Sequence, residues 1–104
     1  MAFTKIGVCA TGAQRALLQA SGADYVEEHV QQFLAPQIGN TEFMARAKVQ
    51  PRWPQAMSAN CFLPGEIKVV GPAADLSALL DYARTAFGRA RQVGIKIIVF
   101  GSSG

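Results

Sequence analysis

The chain has 104 residues, of which 50% are hydrophobic and 16% are charged, and its net charge at pH 7 is +3. This length and composition are typical of one globular domain, here taken as residues 1–104, and exclude a disordered segment. The ten Lys and Arg residues form no dense run, so we expect no nucleic-acid partner. No apolar stretch approaches the ~20 residues of a membrane span, and the start lacks the apolar block of a signal peptide, so we expect a cytoplasmic protein without a membrane partner.

The first two predicted elements are a strand and a helix. Residues 3–10 are rich in β-forming side chains and are followed by a Thr-Gly pair, which predicts a strand. Residues 13–20 predict a helix with Ala16, Leu17 and Ala20 on one face, ended by a Ser-Gly pair. Together they form one β-turn-α unit.

The sequence pattern is clear for the second strand and unclear for the segment after it. Residues 23–30 predict a strand whose alternation separates two sets of side chains: Tyr25, Glu27 and His29 on one side, and Val26, Glu28 and Val30 on the other. The pattern is blurred over residues 31–54, where residues 41–48 predict a short helix and a few apolar side chains provide anchors: Phe33, Leu34 and Ile38. The apolar residues Phe43, Met44 and Trp53 are interpreted as either core or interface.

The last three elements are a strand, a long helix and a strand. Residues 56–63 predict the third strand, and the helix after it begins at Ala74 or Asp75 and ends at Gly94. Apolar residues recur in this helix at spacings of three and four, which predicts one buried face: Leu76, Leu79, Leu80, Ala83, Phe87 and Ala90. Residues 95–100 are almost continuously apolar, as expected for a strand covered on both faces of a parallel sheet.

The order βαβαβαβ predicts an α/β fold with a parallel sheet, and we expect a partial parallel βα-barrel, about half of a TIM barrel. The sequence ends directly after its most hydrophobic strand, so we interpret the chain as a cut barrel. Its first and last strands are both apolar, and the unpaired backbone groups at their outer edges can pair with another chain. We therefore expect the chain to bind itself through these strands, as a homodimer or a higher oligomer. An open four-stranded sheet that stays monomeric is the alternative.

Four segments, in this order and spacing, resemble the amino-terminal part of the sugar phosphate isomerase/epimerase family, whose members adopt the xylose-isomerase-like TIM barrel. The segments are KIGVC at 5–9, GADYVE at 22–27, ANCFLPG at 59–65 with KVVGP at 68–72, and GIKIIVFGS at 94–102. The resemblance implies a barrel of about 250 residues. It also implies a divalent metal and proton transfer next to the carbonyl of a sugar or a sugar phosphate.

The residues that would hold that metal belong to later strands of the family's barrel, which have no counterpart in this sequence. The resemblance places Glu27 at the family's acidic position at the end of the second strand and implies a pocket-lining role for it. No cofactor is therefore expected for this chain alone, although the family uses a divalent metal.

Glu27 and His29 form the best polar pair in the sequence, because they lie two positions apart on one strand face. Near the carboxyl end of a parallel strand such a pair could bind a metal, with a carboxylate from Glu66 or a second chain, or act as a base. The alternative is a hydrogen-bonded pair at the rim of the sheet. Asn60 on the third strand is a further candidate for substrate contact.

Other residues offer weaker candidates. The amides of Gly101 and Ser102 could bind a phosphate, but such sites need a following helix, and a frayed terminus is the alternative. The two cysteines, Cys9 and Cys61, are interpreted as small buried hydrophobes rather than as a disulfide or a zinc site. Four cations are assigned to a solvated outer face: Arg84, Arg89, Arg91 and Lys96.

Three hypotheses for function follow. The first is a self-associating fragment of a sugar phosphate isomerase/epimerase-like barrel that lacks catalysis alone. The second is a small homo-oligomeric, metal-dependent isomerase whose site is shared between chains. The third is a structural half-barrel that only pairs.

Overall fold

The computed structural model describes residues 5–18, 20–50 and 54–100, which form a four-stranded, all-parallel sheet with helices between its strands. The strands are β1 (Gly7–Cys9), β2 (Tyr25–His29), β3 (Ala56–Asn60) and β4 (Ile97–Ile98). The helices are α1 (Gly12–Leu17), α2 (Asn40–Lys48) and α3 (Leu76–Val93), and a π-helical turn, Val30–Leu34, follows β2 directly.

The strands lie in the sheet in the order in which they occur in the chain, β1-β2-β3-β4. A doubly wound sheet reverses its strand order at a switch point, whereas neighbouring strands of a βα-barrel are consecutive. The predicted α/β fold with parallel strands and alternating helices is therefore confirmed, and the sheet is wound like part of a barrel. Within the described residues, β1 and β4 each pair with a strand on one side only.

The three helices pack on one face of this sheet. On β2, Val26 and Glu28 are buried, as is Val30 directly after the strand, whereas Tyr25 and Glu27 on the opposite face are half-buried. The alternation predicted for this strand is confirmed. One core cluster joins the helix-facing side chains of the sheet to those of the helices, with these members: Val26, Val30, Leu34, Phe43, Ala56, Ala59, Tyr82, Ala86 and Ala90. We call the opposite, helix-free face the inner face.

The pairing of β2 with β3 contains a register shift. Val26 pairs with Ala56, but the next residue, Glu27, pairs with Ser58, so that Met57 is the extra residue on β3. Such a bulge changes the face to which the following side chains point. As a result Ser58 and Asn60 share the inner face with Glu27.

The middle segment contains the predicted short helix, but its π-helical turn was not predicted. The short helix predicted over residues 41–48 is α2. Phe43 is buried in the core, whereas Met44 is exposed. Trp53 lies outside the described residues.

Helix α3 has the predicted ends. The Asp75 side chain accepts a hydrogen bond from the Ala78 amide at 3.1 Å, and Gly94 closes the helix in the left-handed conformation with φ of 85°. The predicted buried face is wrong in part. The helix buries Tyr82, Ala86 and Ala90, whereas three of the expected core residues are exposed: Leu76, Leu80 and Phe87.

Two shorter elements also differ from expectation. The last strand is not covered on both faces, because Ile97 is 62% exposed on the inner face. In α1, the expected face of Ala16, Leu17 and Ala20 is exposed, and Arg15 is the buried residue instead. Both errors have one cause: an apolar stretch reports a tendency to be buried, but neighbouring elements decide whether it is.

Arg15 forms a buried ion pair with Glu28 below the sheet. Its Nη1 lies 3.5 Å from Glu28 Oε2, and its Nε donates a hydrogen bond to the Pro54 carbonyl at 2.7 Å. Burial lowers the pKa of Arg15 and raises the pKa of Glu28, and the attraction between the two charges opposes both changes. The pair therefore holds α1 against β2 and against the chain that leads into β3.

Arg89 is not on a solvated face, as the sequence predicted, but is 6% exposed. Its guanidinium donates hydrogen bonds to the carbonyls of Leu34, Ala35 and Ile38 and lies 4.7 Å from the centre of the Phe43 ring. These carbonyls end the π-helical turn, where Ala35 has φ of 42°. A left-handed alanine costs about 1 kcal/mol or more, and the arginine offsets part of that cost through its hydrogen bonds to the Leu34 and Ala35 carbonyls, the second of which also accepts from the Ile38 amide at 3.0 Å.

We expect Arg89→Ala to lower the free energy of unfolding by about 2–4 kcal/mol, because it removes the hydrogen bonds to three carbonyls, of which only that of Ala35 keeps another donor, the Ile38 amide. Arg84→Ala on the exposed side of the same helix is the matched control and should cost at most about 0.5 kcal/mol. Urea denaturation followed by circular dichroism measures both. Equal costs for the two variants would contradict an anchoring role for Arg89.

Candidate functional site

A polar cluster occupies the inner face at the carboxyl ends of the first three strands. Its centre is the carboxylate of Glu27. Ser58 Oγ donates to Glu27 Oε1 at 2.8 Å, and Asn60 Nδ2 donates to Glu27 Oε2 at 2.9 Å. The Cys9 thiol donates to the same Oε2 at 3.5 Å and accepts from Asn60 Nδ2 at 3.7 Å. We call these four residues the Glu27 cluster.

Strand register brings the cluster together. Cys9 pairs with Glu27 across β1 and β2, and Glu27 pairs with Ser58 across β2 and β3. Residues paired across parallel strands point to the same face, so three neighbouring strands present polar side chains side by side. Ser58 is buried, Glu27 and Asn60 are half-buried, and Cys9 is exposed.

Tyr25 closes the inner face on the side of the strand starts. Its ring lies so close to Gly7 that a Cβ on that glycine would overlap it. A Cβ at position 7 would therefore force the Tyr25 ring to move, and this constraint comes from the close approach rather than from the backbone conformation.

The chain just after the cluster is held in an unusual conformation. Cys61 has φ of 53°, a left-handed value that is rare outside glycine. Gln31 in the π-helical turn donates from its Nε2 to the carbonyls of Cys61 and Leu63, both at 3.0 Å. This bridge links the ends of β2 and β3 and fixes the position at which Asn60 leaves the sheet.

His29 does not join the cluster through a hydrogen bond. Its Nδ1 accepts from the Gln32 amide at 3.3 Å and so caps the π-helical turn. The hydrogen bonds of the Glu27 carboxylate come instead from Ser58, Asn60 and Cys9. The expected Glu27–His29 pair is therefore replaced by a contact between strands.

Both cysteines are exposed, so their interpretation as buried hydrophobes is wrong. The pKa of the Cys9 thiol is raised by partial burial, and then by its hydrogen bond to Glu27 and the negative charge there. A thiol with a raised pKa is a weak nucleophile at neutral pH. Cys9 therefore serves as a hydrogen-bond donor rather than as a reactive group.

The residues present do not fit a divalent metal. Within residues 5–18, 20–50 and 54–100, no group of three His, Cys, Asp or Glu side chains could hold an ion. The neighbours of Glu27 all donate hydrogen bonds to it, whereas a cation needs lone pairs directed at one point. Glu66, the other candidate ligand, accepts from Gln37 Nε2 at 3.3 Å instead.

The cluster offers a carboxylate, a hydroxyl and an amide within hydrogen-bond distance of one another. A carboxylate has about four acceptor positions, of which the three donors use three. Hydroxyl and amide groups can each donate and accept. Such a set suits an uncharged ligand that carries several hydroxyl groups, whose protons and lone pairs it can match.

Sequence reasoning found half of the cluster. Glu27 and Asn60 were candidates and lie together, whereas Ser58 was missed and Cys9 was set aside as a buried hydrophobe. The spacing of Ser58 two positions before Asn60 was the available signal, since residues i and i+2 share a strand face. Gly101 and Ser102 lie outside the described residues.

No protein-family model, curated protein or solved structure matches the chain. Among the described residues, no helix combines the length and the apolar character that a membrane crossing requires.

The thiol of Cys9 reports on the carboxylate beside it. In a Cys61→Ser background we expect Glu27→Gln to lower the Cys9 pKa, because it removes a negative charge and an acceptor, so that alkylation at pH 8 becomes faster. The rate of reaction with iodoacetamide between pH 7 and 10 measures this shift. Glu66→Gln, on an exposed carboxylate elsewhere, is the control. An unchanged pH profile in Glu27→Gln would show that the two groups do not interact.

Proposed function

We propose that this chain is a partial barrel, related to the sugar phosphate isomerases and epimerases, that associates with copies of itself and is not catalytic alone. The observation that carries the proposal is the strand order. The strands follow the order of the chain, and within the described residues the outer strands β1 and β4 each pair on one side only. Unpaired strand edges bind other strands readily.

The distribution of side chains supports association. Apolar residues near both outer strands are exposed: Ile6, Val8, Ile97, Val99 and Phe100. Isolated exposed apolar residues are ordinary, but a group at each edge marks a surface that a partner would cover. A copy of the same chain brings a matching edge with it.

The Glu27 cluster supports the relation to sugar-binding barrels. Barrel enzymes bind substrates at the carboxyl ends of their strands; Asn60 is the last residue of β3, and it donates a hydrogen bond to Glu27 at the middle of β2. The set of carboxylate, hydroxyl and amide groups suits the hydroxyl groups of a sugar.

Light scattering on a size-exclusion column tests self-association directly. Across a hundredfold range of concentration we expect a dimer or a larger assembly, and we expect its thermal unfolding midpoint to rise with concentration, because dissociation precedes or accompanies unfolding. A folded monomer with a midpoint independent of concentration would show that the edges need no partner and would overturn the proposal.

Catalysis is tested separately. We expect the purified chain, incubated in D2O with ketose and aldose phosphates and with Mg²⁺ or Mn²⁺, to show no exchange of the proton next to the carbonyl by NMR. Metal-dependent exchange that a Glu27→Gln/His29→Ala variant loses would favour a small oligomeric enzyme with a shared site. Exchange that persists in this variant would place the reaction elsewhere in the chain.

A further inference from the structure

Helix α3 carries a second apolar surface beside the one that faces the sheet. Leu76, Leu80 and Phe87 are 68%, 43% and 54% exposed. Their spacings of four and seven place them in one line along the helix, about a quarter of a turn from the buried Ala86 and Ala90. We call these three residues the outer stripe.

The outer stripe faces the free edge of the sheet. On the opposite flank of α3, Arg89 reaches the carbonyls of the π-helical turn, so that flank faces β2. On the stripe's side, Phe87 and Ala90 line a groove of about 550 Å³ together with Ile95 and Ile98. Arg91 and Lys96 also line this groove, so the surface between the stripe and the unpaired edge of β4 combines apolar side chains with two cations.

We propose that a second copy of this chain covers this surface, with a two-fold axis that passes through the seam between the two β4 strands. This inference rests on the proposed self-association and specifies its surface. An axis perpendicular to the sheet makes the two β4 strands antiparallel and puts both α3 helices on the same side of the joined sheet. The helices then lie antiparallel to each other, with one outer stripe against the other.

The charges along α3 match this orientation. Asp75 and Asp81 lie at its amino-terminal end and in its first half, Arg84 lies at its middle and Arg91 lies near its carboxyl-terminal end, and all four are exposed. An antiparallel pair puts the acidic end of one helix beside Arg91 of the other, with Arg84 next to the axis, whereas a parallel pair would put like charges together along the whole helix. With the axis midway between Leu80 and Phe87, Leu80 meets the partner's Phe87, and Arg91 meets the partner's Asp75.

A barrel-like closure, in which β4 pairs with the partner's β1, covers less. The partner's α1 follows its β1 and packs over its own β2 through Arg15 and Glu28. The groove between α3 and β4 would then stay open, and Leu80 and Phe87 would stay exposed. The antiparallel seam pairs the strand edge and buries the stripe in one contact.

Charged substitutions on the stripe test the surface. Leu80→Lys and Phe87→Lys, each placed against an apolar partner residue, should raise the dimer dissociation constant by at least about tenfold in light scattering. Leu17→Lys is the matched control, because Leu17 is 82% exposed on α1, away from the stripe, and it should leave the constant within about twofold. Circular dichroism of each variant verifies that the fold is kept.

Crosslinking tests the orientation. In a Cys9→Ser/Cys61→Ser background, Ala83→Cys lies next to the axis and should form a disulfide-linked dimer on mild oxidation. Ser77→Cys should not, because an antiparallel pair separates the two copies of this position by ~20 Å along the helices. Crosslinking of both would indicate parallel helices and overturn the inference.

The outcomes separate this inference from the proposed function. A dimer that neither Leu80→Lys nor Phe87→Lys weakens, and that Ala83→Cys does not link, would leave self-association standing and refute the surface. A wild-type chain that stays monomeric at every concentration would refute both and would assign the stripe to another occupant.

Discussion

The pairing of β2 with β3 is the constraint on which the rest of the structure depends. Glu27 and Glu28 are neighbours in sequence and point to opposite faces, one to three hydrogen-bond donors and the other to a buried arginine. A slip of one residue would exchange them and leave each carboxylate in the wrong surroundings. The register shift at Met57 is what makes both environments available at once, because it turns Ser58 to the inner face while Ala56 stays in the core.

Two buried arginines connect the helices to this sheet. Arg15 joins α1 to β2 and to the chain before β3, and Arg89 joins α3 to the turn after β2. Each donates to backbone carbonyls, and a buried carbonyl left without a donor costs about 1–3 kcal/mol. In a chain this short, with small side chains such as Ala56, Ala59 and Ala86 at the centre of the core, directional polar contacts fix the helix positions that apolar packing alone would leave loose.

Local signals in the sequence predicted the elements, and contacts distant in sequence decided their surroundings. The alternation of β2 and the ends of α3 at Asp75 and Gly94 were predictable, because each depends on a few adjacent residues. The side of α3 that packs on the sheet was not predictable. Apolar residues cover a wider part of this helix than the sheet can bury, and their periodicity gives the width of the apolar surface but not its orientation. Likewise, no local pattern shows that Met57 is an extra residue, so the sequence could place Glu27 and Asn60 near each other without including Ser58.

The inner face and the outer stripe are both open to water, because the helices lie on one side of the sheet only. The free-energy cost of this exposure differs between the two surfaces. The polar groups of the Glu27 cluster satisfy one another, so hydration of that face costs little. The outer stripe has no such compensation. A partner that covers it removes apolar surface from water, and each Å² removed contributes about 25 cal/mol of favourable free energy. The drive for the proposed association therefore comes from exposed apolar side chains such as those of the outer stripe and not from the Glu27 cluster. Because the two surfaces lie on opposite sides of the sheet, substitutions such as Leu80→Lys can weaken association without touching Glu27, and the two properties can be separated by mutation.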